Sequence, residues 1–141
     1  MYAFNATWKT GAMALMIMAI PPIGACAGEP QSPYDVCMAS AQNSMAYREC
    51  GAAEIARQDR LLNDAWRRLA ESLKSESDDA YRALLDEQRK WNAFKESACL
   101  YYYKGFGSLG TSVQYPACLI GILKQRTEYL TRFYLEQTGK Q

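Results

Sequence analysis

Five cysteines are the residues of this 141-residue chain whose chemistry is most constrained: Cys26, Cys37, Cys50, Cys99 and Cys118. Cys26 stands apart in a segment with the character of an export signal. The remaining four are an even number, as a disulfide framework requires. Four cysteines allow three pairings. Cys99 and Cys118 flank an aromatic, glycine-rich stretch that a bridge would close, and Cys37 precedes a helix with Cys50 in its early turns. The expected pairs are therefore Cys37–Cys50 and Cys99–Cys118. Zinc is the rival use of these thiols, but no C-x-x-C pair accompanies them and an oxidising compartment is implied. The chain has no histidine, so the commonest general base and commonest metal ligand are missing. Ser108 then has no Ser–His partner to activate it. With no nucleophile–base pair, phosphate loop or metal set, the expectation is a non-enzyme without catalytic residues, cofactor or metal.

The elements that carry these cysteines follow from hydrophobic spacing. From about Ser44 to Lys74, Ile55, Leu62, Trp66, Leu69 and Leu73 recur at helical intervals, with Ser40 or Asn43 as possible caps. Gly51 is a weak point in that run, costing about 1 kcal/mol against alanine. A second helix from about Asp78 to Leu100 shows Tyr81, Leu84, Leu85, Trp91, Ala98 and Cys99. A third, from about Tyr115 to Gln137, shows Leu119, Ile122, Leu123, Leu130 and Phe133. Trp66 and Trp91 lie on apolar stripes and read as core. Glu71, Glu76, Asp78 and Asp79 gather at the turn between the first two helices and read as capping and solvation. The fold class is all-α, a small antiparallel bundle of three main helices braced by two disulfides. One core is all this length supports, and a modest one.

The N-terminus reads as an address. Lys9 ends a short polar region, and Gly11–Ile20 is an uninterrupted apolar and small run. As a helix it spans only ~15 Å, too short for a bilayer core of about 30 Å, which fits a signal-peptide hydrophobic segment. Ile23-Gly24-Ala25-Cys26 resembles the bacterial lipobox, in which the cysteine is lipidated and becomes the mature N-terminus. Cleavage after Ala25-Cys26-Ala27 is the alternative. Ala27 is not aspartate, which in Gram-negative bacteria resembles outer-membrane sorting. The expected organisation is a signal peptide over 1–25, a tether over 26–33 and a helical domain over 34–137. Lys9 is the one charged residue before Cys26, so 15 basic residues face 15 acidic ones from Cys26 onward. No basic tract exceeds two residues, which argues against nucleic acid as a partner. The remaining contacts are a membrane, through the lipid, and a protein.

Each stripe holds one polar intruder: Asp59, Gln88 and Arg126. With the helices running up, down and up, Asp59 lies ~14 Å along its helix from Cys50, Gln88 ~16 Å from Cys99 and Arg126 ~12 Å from Cys118. The three share a layer. A lone buried charge would cost several kcal/mol, so an Asp59–Arg126 ion pair beside Gln88 is expected, fixing helix register. A carboxylate so paired is a poor proton shuttle near neutral pH.

Between the second and third helices lies Tyr101–Gln114 (YYYKGFGSLGTSVQ), with three glycines and four aromatic rings, which reads as a loop. Tyr101, Tyr102, Tyr103 and Phe106 cannot all turn inward from so short a segment. Rings left outside near a rigid disulfide make interface anchors, while two or three of them could instead cap the end of the bundle.

The order Cys37, Glu49-Cys50, Asp59 with Leu62-Asn63, Gln88-Arg89-x-Trp91, Cys99, Gly107-Ser108, Cys118-Leu119 and Arg126 resembles the bacterial envelope family of the lysozyme inhibitor LprI. The resemblance covers about Tyr34 to Leu135. One departure is Lys95-Glu96, where the family commonly has Arg-Asp; the charges stay and the guanidinium fork is lost. The resemblance implies an exported, disulfide-linked helical protein of the cell envelope. It also implies a binding protein that inhibits lysozyme or a similar wall-degrading enzyme by occlusion. A structural or accessory outer-membrane lipoprotein, or a periplasmic immunity protein, is the alternative. A cluster of acids beside the aromatic loop would strengthen the lysozyme reading, and a flat, polar, uniformly charged surface there would favour the accessory role.

Overall fold

The computed structural model describes residues 31–139, all helix and short turns with no strand among them. The segments read as signal peptide and lipobox lie outside the described residues. Ser32 opens the first helix, α1 (Pro33–Ser40), with a capping box: its hydroxyl accepts from the Asp35 amide, and the Asp35 carboxylate accepts from the Ser32 amide at 3.1 Å. Pro33 occupies the first turn, where a missing N–H costs nothing. The residues expected as the tether's end thus already belong to a helix start.

Helix α2 (Ser44–Glu76) begins at Asn43, whose side-chain oxygen accepts from the Met45 and Ala46 amides. It ends at Ser77, whose hydroxyl caps α3 (Asp78–Ala98). Then come α4 (Leu100–Gly105), α5 (Gly107–Leu109), a π-helical turn over Gly110–Gln114 and α6 (Tyr115–Thr138). The last three run on as one rod. The π turn sits directly before Pro116, which has no N–H for the helical ladder and crowds the carbonyl four residues back.

Helix α6 lies along α2 and runs parallel to it. Pro116 meets Gly51 at one end, and Gln137 Nε2 donates to Glu76 Oε2 at 3.0 Å at the other. Helix α3 runs antiparallel to both. The core is Leu62, Ala65, Leu69 and Leu73 from α2, Leu84 from α3, and Leu123 and Leu130 from α6, with Trp66 and Trp91 partly buried against it. The stripes meet largely as their spacing predicts. On α6 the buried position is Ile120, with Leu119 and Ile122 half-buried, and Phe133 is 40% exposed on the rim of an apolar groove of about 530 Å³ between α3 and α6.

Both disulfides have the expected pairing. Cys37–Cys50 joins α1 to α2 and Cys99–Cys118 joins the end of α3 to the start of α6, with Cα–Cα distances of 5.7 and 5.9 Å. Gly51 has a packing role that helix propensity does not reveal. A Cβ there would lie 2.6 Å from the Pro116 ring, so the absence of a side chain is what lets α6 approach α2.

Candidate functional site

The segment Tyr101–Gln114 is not the open loop its glycines suggest. It folds as α4, α5 and the π turn, and two of its three glycines have a specific use. Gly107 follows the α4 C-cap with φ +53°, the left-handed stop that glycine adopts without strain. Gly110 packs under α4: a Cβ there would lie 2.1 Å from the Tyr102 carbonyl oxygen and 2.8 Å from the Phe106 Cβ. Two of the three glycines therefore make a compact corner instead of a flexible span. The Tyr102 and Tyr103 amides donate back to the Cys99 carbonyl at 3.1 and 3.4 Å, and Cys99 is completely buried. Ser108 Oγ and Ser44 Oγ stand 2.9 Å apart, tying α5 to the start of α2.

This corner holds its rings outward. Tyr101 is 69% exposed, Leu109 57%, Tyr103 51% and Phe106 40%. They stand in edge-on pairs, Tyr101–Phe106 at 5.3 Å and Tyr103–Tyr115 at 5.3 Å between centroids. Tyr102 lies half-buried between Tyr101 at 5.5 Å and Phe106 at 5.9 Å. Such pairing holds the rings in place with few rotatable bonds left to freeze on contact. The segment Tyr101–Gln114 itself carries one charge, Lys104. Glu71, Glu76, Asp78 and Asp79 cluster at the opposite end, around the α2–α3 junction, as the sequence places them.

The polar layer differs from expectation in one member. Arg126, 7% exposed, donates from Nε to Gln88 Oε1 at 2.9 Å and from Nη1 to Glu87 Oε1 at 2.5 Å. Its guanidinium lies 4.8 Å from the Tyr129 ring centroid and 5.6 Å from that of Trp91. Burial, then the Glu87 carboxylate, push the Tyr129 phenol up. The expected Asp59–Arg126 pair does not form. Asp59 turns to Lys95, 3.7 Å away, with 42% of its side chain exposed. Its depth along α2 fits the layer, but its direction does not. The buried side of α2 runs Cys50, Gly51, Glu54, Gln58, Leu62, Ala65 and Leu69, and Asp59 is one position, about 100° of helix, off it.

The buried carboxylate of α2 is instead Glu54, 4% exposed. It accepts from Arg57 Nε and Nη2 at 2.8 and 2.7 Å and from Gln58 Nε2 at 2.7 Å. The Arg57 bonds are the main reason its carboxyl is held below the usual carboxylate range, against the opposing effect of burial. Counting back from Leu62 in steps of four gives Gln58 and Glu54, so helical spacing could have found both. A depressed carboxyl stabilises the fold above its unfolded value, about 4.3, and that stability is lost as pH falls through the lower folded value. Thermal melts should therefore show wild type losing stability below about pH 4, with Glu54→Gln lower at neutral pH but flatter on acidification.

No helix among the described residues is long and apolar enough to cross a membrane, and none of them form a cluster of three potential metal ligands. What the fold defines is a disulfide-braced helical domain presenting a pinned aromatic corner. The family model for lysozyme inhibitor LprI matches residues 37–130, and the chain belongs to that family. No curated protein and no solved structure matches the chain. The family is one of inhibitors rather than catalysts, and its name implies a protein partner. Two disulfides and such a partner fit an extracytoplasmic, envelope setting.

Proposed function

We propose that the protein inhibits lysozyme or a related wall-degrading enzyme by occlusion, seating the aromatic corner of Tyr101, Tyr102, Tyr103 and Phe106 against the enzyme's cleft. The observation that carries this reading is the exposure of three rings and Leu109 on a corner held by the Cys99–Cys118 bridge, whose Cys99 is buried. Aromatic anchors fixed before contact give affinity at low entropic cost. Family membership supplies the partner class. We also propose export by the signal peptide over 1–25 and lipid attachment at Cys26, which would hold the domain at the outer membrane where such enzymes arrive.

With Lys104 as the single charge of its segment, the corner makes a contact governed by apolar area more than by steering. Raising ionic strength from 50 to 300 mM is expected to change the affinity for lysozyme by less than roughly threefold. Tyr101→Ala/Tyr103→Ala is expected to weaken binding by about 100-fold, since aromatic anchors cost 2 kcal/mol or more on truncation. Calorimetric titration of the purified protein with lysozyme reads both. Wild-type affinity retained in the variant would remove the corner from the interface, and a steep loss with salt would place the contact on the charged faces.

A further inference from the structure

The three long helices do not close evenly on one another. Helices α3 and α6 both pack on α2, but toward the α2–α3 junction the apolar groove of about 530 Å³ stays open between them. Leu69 and Leu73 of α2, both buried, form its floor. Ala80 and Ala83 line the α3 side, and Tyr129 and Phe133 the α6 side, their ring centroids 4.7 Å apart. Alanine side chains are too short to fill such a seam, and Phe133 is left 40% exposed. A fourth helix is the element that closes three helices of this arrangement into a bundle.

The dimensions fit a helix. Ala80 to Glu87 on α3 is a step of seven residues, ~11 Å. An amphipathic helix with apolar residues at i, i+3, i+4 and i+7 covers the same length in two turns.

The polar lining sets the charge of the visitor. Glu87 and Glu136 line the groove, and no basic side chain among the described residues does. Glu87 shares its carboxylate with Arg126 on the core side. Glu136 lies 3.9 Å from Arg132, with both side chains more than half exposed, a contact weak enough to give way. At the junction end stand Glu76, whose Oε2 accepts from the groove residue Gln137 at 3.0 Å, and Asp79, next to Ala80. The basic side chains of that end are engaged: Arg82 with Asp78 at 2.6 Å, and Lys74 over the Tyr81 ring. The groove is apolar within and acidic at its rim. That is the complement of a helix with one apolar face bordered by cations. The same acids would repel one another across a contact between two copies of this chain.

We propose that the α3–α6 groove is a docking site for a cationic amphipathic helix of a partner protein, with its apolar face on Leu69, Leu73 and Phe133 and its basic residues against Glu136 and Glu76. The groove lies at the far end of the bundle from the aromatic corner, so the two surfaces can be engaged together.

A synthetic peptide of leucine and lysine tests it, about 15 residues long, with leucine at i, i+3, i+4 and i+7. Calorimetric titration into the purified protein is expected to show one-to-one binding with Kd below about 100 μM. Ala83→Trp fills the groove from an exposed position of α3. It should weaken binding roughly tenfold or more, with a thermal midpoint within about 3 °C of the parent's. Glu136→Gln, also exposed, should weaken it roughly threefold. Absence of saturation at about 1 mM peptide would overturn the proposal. So would undiminished binding by Ala83→Trp, or equal binding of a peptide with the same residues in scrambled order or with glutamate in place of lysine. A dimer of the protein alone that Ala83→Trp dissociates would give the groove to a second copy, and would overturn it too. The titration contains no lysozyme, so its failure leaves the inhibitor reading standing, and failed inhibition leaves the groove standing.

Discussion

Replacing Cys99 and Cys118 together by serine is expected to remove about 3 kcal/mol of stability and most of the inhibitory activity with it. The bridge closes a loop with a sequence separation of 19, and loop-closure entropy at that length is worth about that amount. Cys37–Cys50, with a separation of 13, gives nearly the same figure, so the two bridges differ less in stability than in consequence. Cys99 is completely buried, and its carbonyl anchors the first turn of α4. Losing that bridge frees the base of the aromatic corner, whereas losing Cys37–Cys50 frees α1. Thermal unfolding should show a drop on the order of 15 °C for either double variant, since 1 kcal/mol moves the midpoint by about 4–8 °C in a domain of this size. Binding to lysozyme should fall sharply in the first variant and little in the second. Equal binding losses in both would mean that the corner is not what Cys99–Cys118 holds.

Gly110→Ala should cost about 3 kcal/mol, at the upper end for overpacking. The added Cβ would stand 2.1 Å from a backbone carbonyl oxygen, that of Tyr102, and 2.8 Å from a Cβ, that of Phe106. Neither obstacle is the tip of a flexible side chain, so α4 itself must move. The helix-propensity gain of about 1 kcal/mol offsets only part of this. Gly121→Ala is the internal control. It lies in α6 with nothing within 4 Å of an added Cβ, and should stabilise by about 0.5–1 kcal/mol. Urea denaturation of both variants reads the contrast; two variants of equal stability would contradict the close packing of α4 on the π turn.

Much of this fold was legible in the residues because helices buried on one side write their period into the chain. Leu62, Leu69 and Leu73, Leu84, and Leu123 and Leu130 are the core and sit at the spacing that predicted it. The cysteine pairing was legible because the helix order leaves Cys99 and Cys118 on either side of one corner. Helix α1 was missed, although Ser32-Pro33-Tyr34-Asp35 spells a capping box with proline in the first turn. The aromatic segment was read as a loop because glycine usually marks freedom, and only the packed structure shows that Gly110 marks a close approach. Asp59 shows the limit of counting along an axis. Depth follows from residue number at 1.5 Å a step, but direction turns by about 100° a step, so one position separates the buried Gln58 from the half-exposed Asp59. Which rings face solvent is a matter of three-dimensional packing, and no spacing within Tyr101–Gln114 encodes it.

The most direct test of the central claim is lysozyme activity on cell walls, measured with rising amounts of the purified protein and, alongside, with Tyr101→Ala/Tyr103→Ala. Dose-dependent inhibition by the parent, lost in a variant that melts at the same temperature, is the result expected of occlusion by the aromatic corner. Full lysozyme activity at a micromolar excess of the parent, or equal inhibition by the variant, would contradict it.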